Sequence, residues 1–406
     1  LMEKTRDYWN FIQAFVIIFF KRVKIMKYDT LMEIDLKKLK NNTKLLCKSY
    51  VDYQYKIASL KDNAYGMGLN IVNTLVNNGI NYILVGPIKD ALEIRKYNND
   101  VPILVSYNVT EEEVYDAINN NITLTIADLE YLRSIICLNI KDNLKVQILV
   151  DNGSNKIGIK NNLELKEAVN LIEENKYLEL VGIYTDLTTI GVEDEYYYHQ
   201  VNTFYQVISN YLESGLMIHL NEPIMYHQKL AYVNGIRFDL SLIGIEENIN
   251  DDWFTNMRIK NIEKKYGDLQ FPNIDLQLIF TISSEVVSVG KVSKGDLVGR
   301  NYIAKEDMNV AVIPIGHKDG ITKAISYVGI NNFKRDILAD DIDHLIVAVD
   351  GGVREKDKVY IVNEEREIYD FLTLLKTNRY YLMSILNRNI PRVYINDEES
   401  KGDNYL

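Results

Sequence analysis

Lys61 closes an apolar run, Tyr55–Leu60, and leads straight into Asp62-Asn63-Ala64-Tyr65-Gly66-Met67-Gly68. The run alternates little, as a strand buried on both faces does, so the lysine stands where a buried strand gives way to a Gly-rich turn. An amine that is desolvated and held in one direction is what Schiff-base chemistry asks of a lysine. The plainer reading is a lysine whose stem lies on apolar surface while its head reaches water. Polar residues able to do chemistry recur where later apolar runs end: Asp151-Asn152-Gly153-Ser154-Asn155-Lys156-Ile157-Gly158, Asp186, Asn221 with Glu222, and Arg237-Phe238-Asp239-Leu240. Gly316-His317-Lys318-Asp319-Gly320 and Tyr380 stand apart, further along the chain. His199 and His219 have no metal-ligand partner at useful spacing, and Tyr196-Tyr197-Tyr198 reads as a helix face.

A repeating frame positions these residues. Apolar, β-branched runs lie at Tyr55–Leu60, Tyr82–Val85, Ile103–Ser106, Ile122–Ile126, Val146–Val150, Leu178–Tyr184, Met217–Leu220 and Ile236–Phe238. Between them, Ile71–Asn77, Lys89–Lys96, Glu111–Asn119, Leu129–Cys137, Leu163–Glu174 and Tyr196–Leu212 carry helical periodicity, several behind Asp, Asn, Thr or Glu. Eight strands alternating with helices predict an α/β fold, a (β/α)8 TIM-type barrel over residues 31–245, with chemistry at the C-terminal strand ends. Residues 246–275 are polar and irregular and read as a linker or insertion. Residues 276–406 turn strand-like at Ile279–Val289, Val310–Ile315, Ala324–Ile330 and His344–Val349, which predicts a mainly-β C-terminal domain. A helix over Tyr369–Leu386 and a last strand at Arg392–Ile395 complete it.

The 406 residues carry a net charge of −11, which argues against nucleic acid as a partner. Cys47 and Cys137 show neither a disulfide framework nor metal spacing, so a reducing, cytoplasmic setting is expected and no metal. Residues 1–30 read as an N-terminal extension, disordered or a peripheral helix. Their apolar stretch Phe11–Phe20 falls short of the roughly 20 residues that span a bilayer.

Four landmarks in order, Lys61-Asp62-Asn63-Ala64-Tyr65-Gly66-Met67-Gly68, Val150–Gly158, Gly316-His317-Lys318-Asp319-Gly320 and Pro391-Arg392-Val393-Tyr394, resemble the alanine racemase family of pyridoxal 5′-phosphate (PLP) enzymes. The resemblance runs from about Leu31 to Ile395. It implies a PLP-dependent racemase of alanine or a related small amino acid, working as a homodimer with sites shared between subunits. It implies that Lys61 carries the cofactor and is one of two opposed bases, and that Tyr65 and Tyr380 lie near the phosphate. Arg237 falls on the arginine that bonds the pyridine nitrogen, and the backbone amides of Asp239 and Leu240 on those that hold the phosphate. Asn221 is matched to the cofactor as well, and Ile342 and Asp343 match the substrate end.

Some positions depart from the family pattern. Arg300, in Val298-Gly299-Arg300-Asn301-Tyr302, takes the place of the tyrosine that the partner subunit supplies as second base, and Tyr302 is the nearest phenol. Arginine stays protonated at any working pH, so the replacement base is expected to be Tyr302, or His317 oriented by Asp186. Asp186 stands for the family's histidine after the sixth strand, Lys156 for the arginine at the ring oxygen, Leu149 for a lysine near it, and Glu222 for a phosphate-binding serine. A carboxylate about 4 Å from a phosphate costs roughly 4 kcal/mol at an effective dielectric near 20, so Glu222 is expected to oppose PLP. Two functions therefore stay open: a racemase with a changed second base, and a non-catalytic relative that keeps the fold for binding or regulation.

Overall fold

The computed structural model describes residues 30–188, 194–221, 230–245, 257–258, 260–261, 263–264, 274–363, 368, 370, 374, 379–386 and 390–396. Phe11–Phe20, Glu222 and most of the 246–275 segment lie outside them. The chain opens with β1 (Leu31–Asp35), then a helix, Leu36–Ser49, whose first amides at Lys37 and Lys38 are capped by the Asp35 carboxylate. A closed barrel of eight parallel strands follows: β2 (Tyr55–Ser59), β3 (Tyr82–Val85), β4 (Ile103–Val105), β5 (Ile122–Ile126), β6 (Leu144–Leu149), β7 (Leu178–Tyr184), β8 (Met217–Asn221) and β9 (Gly235–Phe238). Helices connect them, and the helix Glu111–Asn119 carries the Thr110/Glu113 capping box that its sequence advertises.

Alternation along each strand builds two cores. Ala58, Ile83, Val85 and Ile103 face the helices, whereas Ile57, Tyr82, Leu84, Leu104 and Tyr184 fill the lumen. The lumen also holds Thr123, Thr125, Gln147, His219 and Arg237, each buried, so polar side chains run through its apolar filling. Closure pairs β2 with β9, with Ile57 opposite Arg237 and Ala58 opposite Phe238. The strand that leads into Lys61 therefore lies beside the strand that carries Arg237.

The second domain is a nine-stranded sheet built from β10 (Phe280–Glu285), β11 (Ser288–Val292), β14 (Met308–Ile313), β15 (Tyr327–Ile330), β16 (Phe333–Asp340), β17 (Leu345–Val349), β18 (Lys358–Val362) and β19 (Arg392–Ile395), together with β1. A separate hairpin, β12 (Leu297–Val298) and β13 (Tyr302–Ile303), projects from it. Leu31–Asp35 precedes the barrel in sequence yet pairs with β10 and, in parallel, with β19. Its alternating burial fits a two-faced sheet, not a barrel lumen. Among the described residues no helix is long and apolar enough to cross a membrane.

Candidate active site

The segment after Lys61 is not the glycine turn that its sequence suggests. Asp62, Asn63, Ala64 and Tyr65 all take left-handed backbone angles, with φ of 52°, 57°, 55° and 53°, and the glycines come only afterwards. At about 1–2 kcal/mol per residue, four such residues cost on the order of 4–8 kcal/mol. Long-range bonds hold the turn: Arg392 Nε donates to Gly66 O at 2.9 Å and the Tyr394 hydroxyl to Met67 O at 2.8 Å. A Cβ at Gly68 would sit 2.2 Å from that hydroxyl. The landmarks Ala64-Tyr65-Gly66-Met67-Gly68 and Arg392-Val393-Tyr394 are thus two halves of one clamp, and its effect is to aim Lys61 and Tyr65 from a single turn.

Arg237, 3% exposed, is the most heavily anchored side chain of the site. Its Nη1 donates to His219 Nδ1 at 2.8 Å, and its Nη2 to Thr185 O at 2.8 Å and to the Asp186 carboxylate. A guanidinium cannot accept, so His219 must be the tautomer with a bare Nδ1 and a hydrogen on Nε2. That hydrogen goes to Gln147 Oε1 at 2.7 Å, and Gln147 Nε2 donates to the Tyr82 hydroxyl at 3.3 Å, which donates to Thr123 Oγ1 at 3.1 Å. One arginine therefore fixes the direction of each bond in this chain from His219 to Thr123. His219 also stacks on Tyr184, centroids 4.7 Å apart and planes 6° apart. Burial, then the charge of Arg237, hold the imidazole well below its usual pKa and keep it neutral.

Asp186 is the meeting point of the barrel mouth. Burial pulls its carboxyl upward, but Arg237, Lys61 and Lys156 together outweigh that and leave it below the usual carboxylate range. Lys156 is exposed on a loop that folds around Asp151, whose Oδ1 accepts from the amides of Gly153 and Asn155 at 3.0 and 3.1 Å. Asn221 spends its amide on Leu187, donating to O at 2.9 Å and accepting from N at 2.8 Å, so here it positions the loop after Asp186. Leu149 is buried in the lumen.

At the other end of the mouth, Asp239 Oδ1 accepts from Leu240 N at 2.6 Å and Oδ2 accepts from the Tyr380 hydroxyl at 2.8 Å. The Tyr65 ring lies 6.3 Å from that of Tyr380, and its hydroxyl shares a hydrogen bond with Ser59 Oγ at 3.1 Å. Burial first, and Asp239 second, push both phenols well above their ordinary pKa, so both stay protonated.

The second-domain candidates lie elsewhere in the chain. Arg300, at the β12–β13 turn, is exposed and pairs with Asp341 at 3.2 Å. Tyr302 packs half-buried against Val298, Ala304, Val310 and Leu338. His317 Nε2 bonds Asp340 Oδ2 at 2.9 Å, so within the chain Asp340 orients it and Asp186, expected in that role, is spent on Arg237. Ile342 is 62% exposed, and Asp343 bonds His344 Nδ1 at 2.6 Å. A cleft of about 270 Å³ beside the hairpin is lined by Gly299, Ala339, Asp340, Asp341 and His344. Among the described residues none of these side chains bonds Lys61, Asp186 or Arg237.

Gln147 and Tyr184 are not singled out by the sequence, and His219, set aside there for want of a metal-ligand partner, belongs to the lumen network. The signal lay in strand alternation, since His219 sits two residues before Asn221 and so faces the same way.

Whether the site suits PLP can be tested on its donors. The ring end fits: a half-buried amine, a buried guanidinium and a neutral imidazole behind it meet at adjoining strand ends. The end expected to take the phosphate offers an amide and a phenol that already hold the Asp239 carboxylate, so a phosphate there would meet an anion of the chain.

Models of the alanine racemase N-terminal and C-terminal domains match residues 34–231 and 279–394. An alanine racemase from Borreliella burgdorferi is 28% identical over 388 residues, covering 92% of this chain and 99% of that one. One from Staphylococcus epidermidis is 26% identical over 364 residues, covering 86% and 91%. Among solved structures, alanine racemase from Bacillus anthracis with bound L-Ala-P superposes with a TM-score of 0.80 at 24% identity, covering 92% of this chain and 96% of that one. Histidine racemase from Leuconostoc mesenteroides subsp. sake gives 0.78 at 20%, covering 91% and 99%.

Proposed function

The chain belongs to the alanine racemase family, and on that premise we propose that it is a PLP-dependent racemase of a small amino acid, alanine first among the substrates to test. The observation that carries the reading is the buried Arg237, bonded to Asp186 and to neutral His219, on the strand beside the one that leads to Lys61, at the mouth of a closed barrel. The family is PLP-dependent, and when bound the cofactor withdraws electrons from the substrate α-carbon and makes its C–H acidic. Lys61 would hold the cofactor, Arg237 its ring nitrogen, and Tyr65, Tyr380 and the amides of Asp239 and Leu240 its phosphate. Arg237 cannot give up a proton, so it acts only as a donor.

Racemisation needs two groups on opposite faces, each able to return the proton that the other removes. Lys61 Nζ serves one face. We assign the other to Tyr302 of a second copy, with His317 as its rival. That makes the protein a homodimer, and the exposed Leu297, Ile303 and Ile342 around the hairpin suit such a contact. Lys156, Ile342 and Asp343 would face the substrate. The free Cys47 and Cys137 suit a reducing, cytoplasmic setting.

The test is an absorbance titration with PLP, borohydride reduction and peptide mapping, followed by racemisation assays on alanine and serine. A reduced adduct on Lys61 with racemisation supports the reading. No adduct at saturating PLP favours the non-catalytic relative, which Asp239 in the phosphate cradle also favours. Mixing Lys61→Ala with Tyr302→Phe checks the sharing of sites. Each mixed dimer keeps one intact site, so about a quarter of the wild-type rate returns at equal mixing. No recovery, with each variant inactive alone, removes Tyr302 from the shared site.

A further inference from the structure

We propose that Asp239 is a built-in competitor for the phosphate end of the cofactor, so that PLP is held no more tightly than unphosphorylated pyridoxal. The inference rests on the cofactor reading above and names a residue that limits it. Both oxygens of the carboxylate are engaged: Oδ1 by Leu240 N at 2.6 Å, Oδ2 by the Tyr380 hydroxyl at 2.8 Å. These are the donors that a phosphate in this end of the mouth would need. Leu240 is 1% exposed, so water is a poor alternative partner for its amide.

The fold itself keeps the carboxylate in place. Asp239 caps the short turn Leu240–Ile243, and its charge also reaches Tyr65, the other phenol of this end. Two anions cannot share one set of donors at hydrogen-bond distance. Either the carboxylate swings out, giving up two charge-assisted bonds, or the phosphate stays outside the cradle. In both cases the phosphate adds little to binding. Pyridoxal carries a neutral hydroxyl at the same point, which can donate to Asp239, and it keeps the aldehyde and ring that Lys61 and Arg237 would engage.

The experiment titrates wild type, Asp239→Gly and Asp239→Asn with PLP and with pyridoxal, following the absorbance of the adduct. Asp239→Asn keeps the size of the cap and removes only the charge, which guards against a folding defect in the glycine variant. In wild type the two dissociation constants should agree within about threefold, and in both variants PLP should gain more than about tenfold while pyridoxal barely moves. Wild type preferring PLP more than tenfold, or variants that shift both aldehydes equally, would overturn the inference. Inorganic phosphate is the independent probe. It should raise the melting temperature of both variants and leave wild type unchanged. If no aldehyde reacts with Lys61 in any of the three proteins, the cofactor reading falls and the phosphate arm alone decides. Phosphate stabilisation gained on removing the carboxylate would still support Asp239 as a competing anion, and its absence would overturn it.

Discussion

The barrel half of the candidate site and the second-domain half are built in opposite ways. Around Arg237, buried side chains from five strands brace one another, and each hydrogen bond has a direction that the arginine dictates. Around Arg300 and His317 the ion pairs are more exposed: Arg300 pairs with Asp341 at the surface, and His317 with the largely buried Asp340, which also accepts from Lys323 N. The first arrangement satisfies its polar groups inside the barrel, whereas the second leaves polar and apolar groups such as Arg300, Leu297 and Ile303 exposed. The difference teaches that burial, more than residue identity, separates an interlocked polar network from a set of surface ion pairs.

Substitutions should sharpen that contrast. The largest effect belongs to Lys61→Ala, which should abolish borohydride trapping and lower any racemisation more than about a thousandfold, about 4 kcal/mol of barrier. Arg237→Met comes next. It strands the partly open Asp186 carboxylate, so unfolding in urea should show a loss of about 2 kcal/mol, below the 3–5 of a fully buried pair. Gln147→Leu leaves His219 Nε2–H without its acceptor, and about 1–3 kcal/mol should be lost, read as a lower melting temperature. If Gln147→Leu were neutral, the barrel half would be no more interlocked than the other.

The pH dependence follows from buried His219 and partly buried Asp186. His219 stays neutral in the fold while the unfolded chain takes up a proton below pH 6.5, so stability should rise with pH up to about 6.5 and then level. His219→Gln should flatten that rise. Asp186 works at lower pH, because its folded carboxyl is depressed: its contribution is present above about pH 4 and is lost as acid protonates it. The smallest effect is expected for Arg300→Ala. The side chain of Arg300 is 74% exposed, and unfolding free energy should move by less than about 0.5 kcal/mol.

Much of this was legible in the sequence, and the illegible parts share a cause. Buried parallel strands announce themselves by unbroken apolar runs, so all eight barrel strands stood out, as did the helices Glu111–Asn119 and Leu129–Cys137. β16 did not, because Phe333-Lys334-Arg335-Asp336 has no clear alternation and gains its place only from β15 and β17 on either side. In the site, Lys61, Tyr65, Arg237 and Asp239 were found by their places at strand ends. What each side chain bonds was not: Asp186 stood in the sequence as a lost histidine and proves to be the ion-pair partner of Arg237. Contacts between strands distant in sequence depend on barrel closure, which periodicity does not encode.

The early strand β1 carries a consequence for how the molecule is made. Its Asp35 meets Asn396 across 361 residues, and β10 and β19 are the neighbours on its two edges. During translation the ribosome releases β1 about 360 residues before β19. At ordinary elongation rates the apolar Met32 and Ile34 wait on the order of tens of seconds for a sheet to join. The barrel can close in that interval, but the nascent chain keeps an open strand edge until β19 emerges.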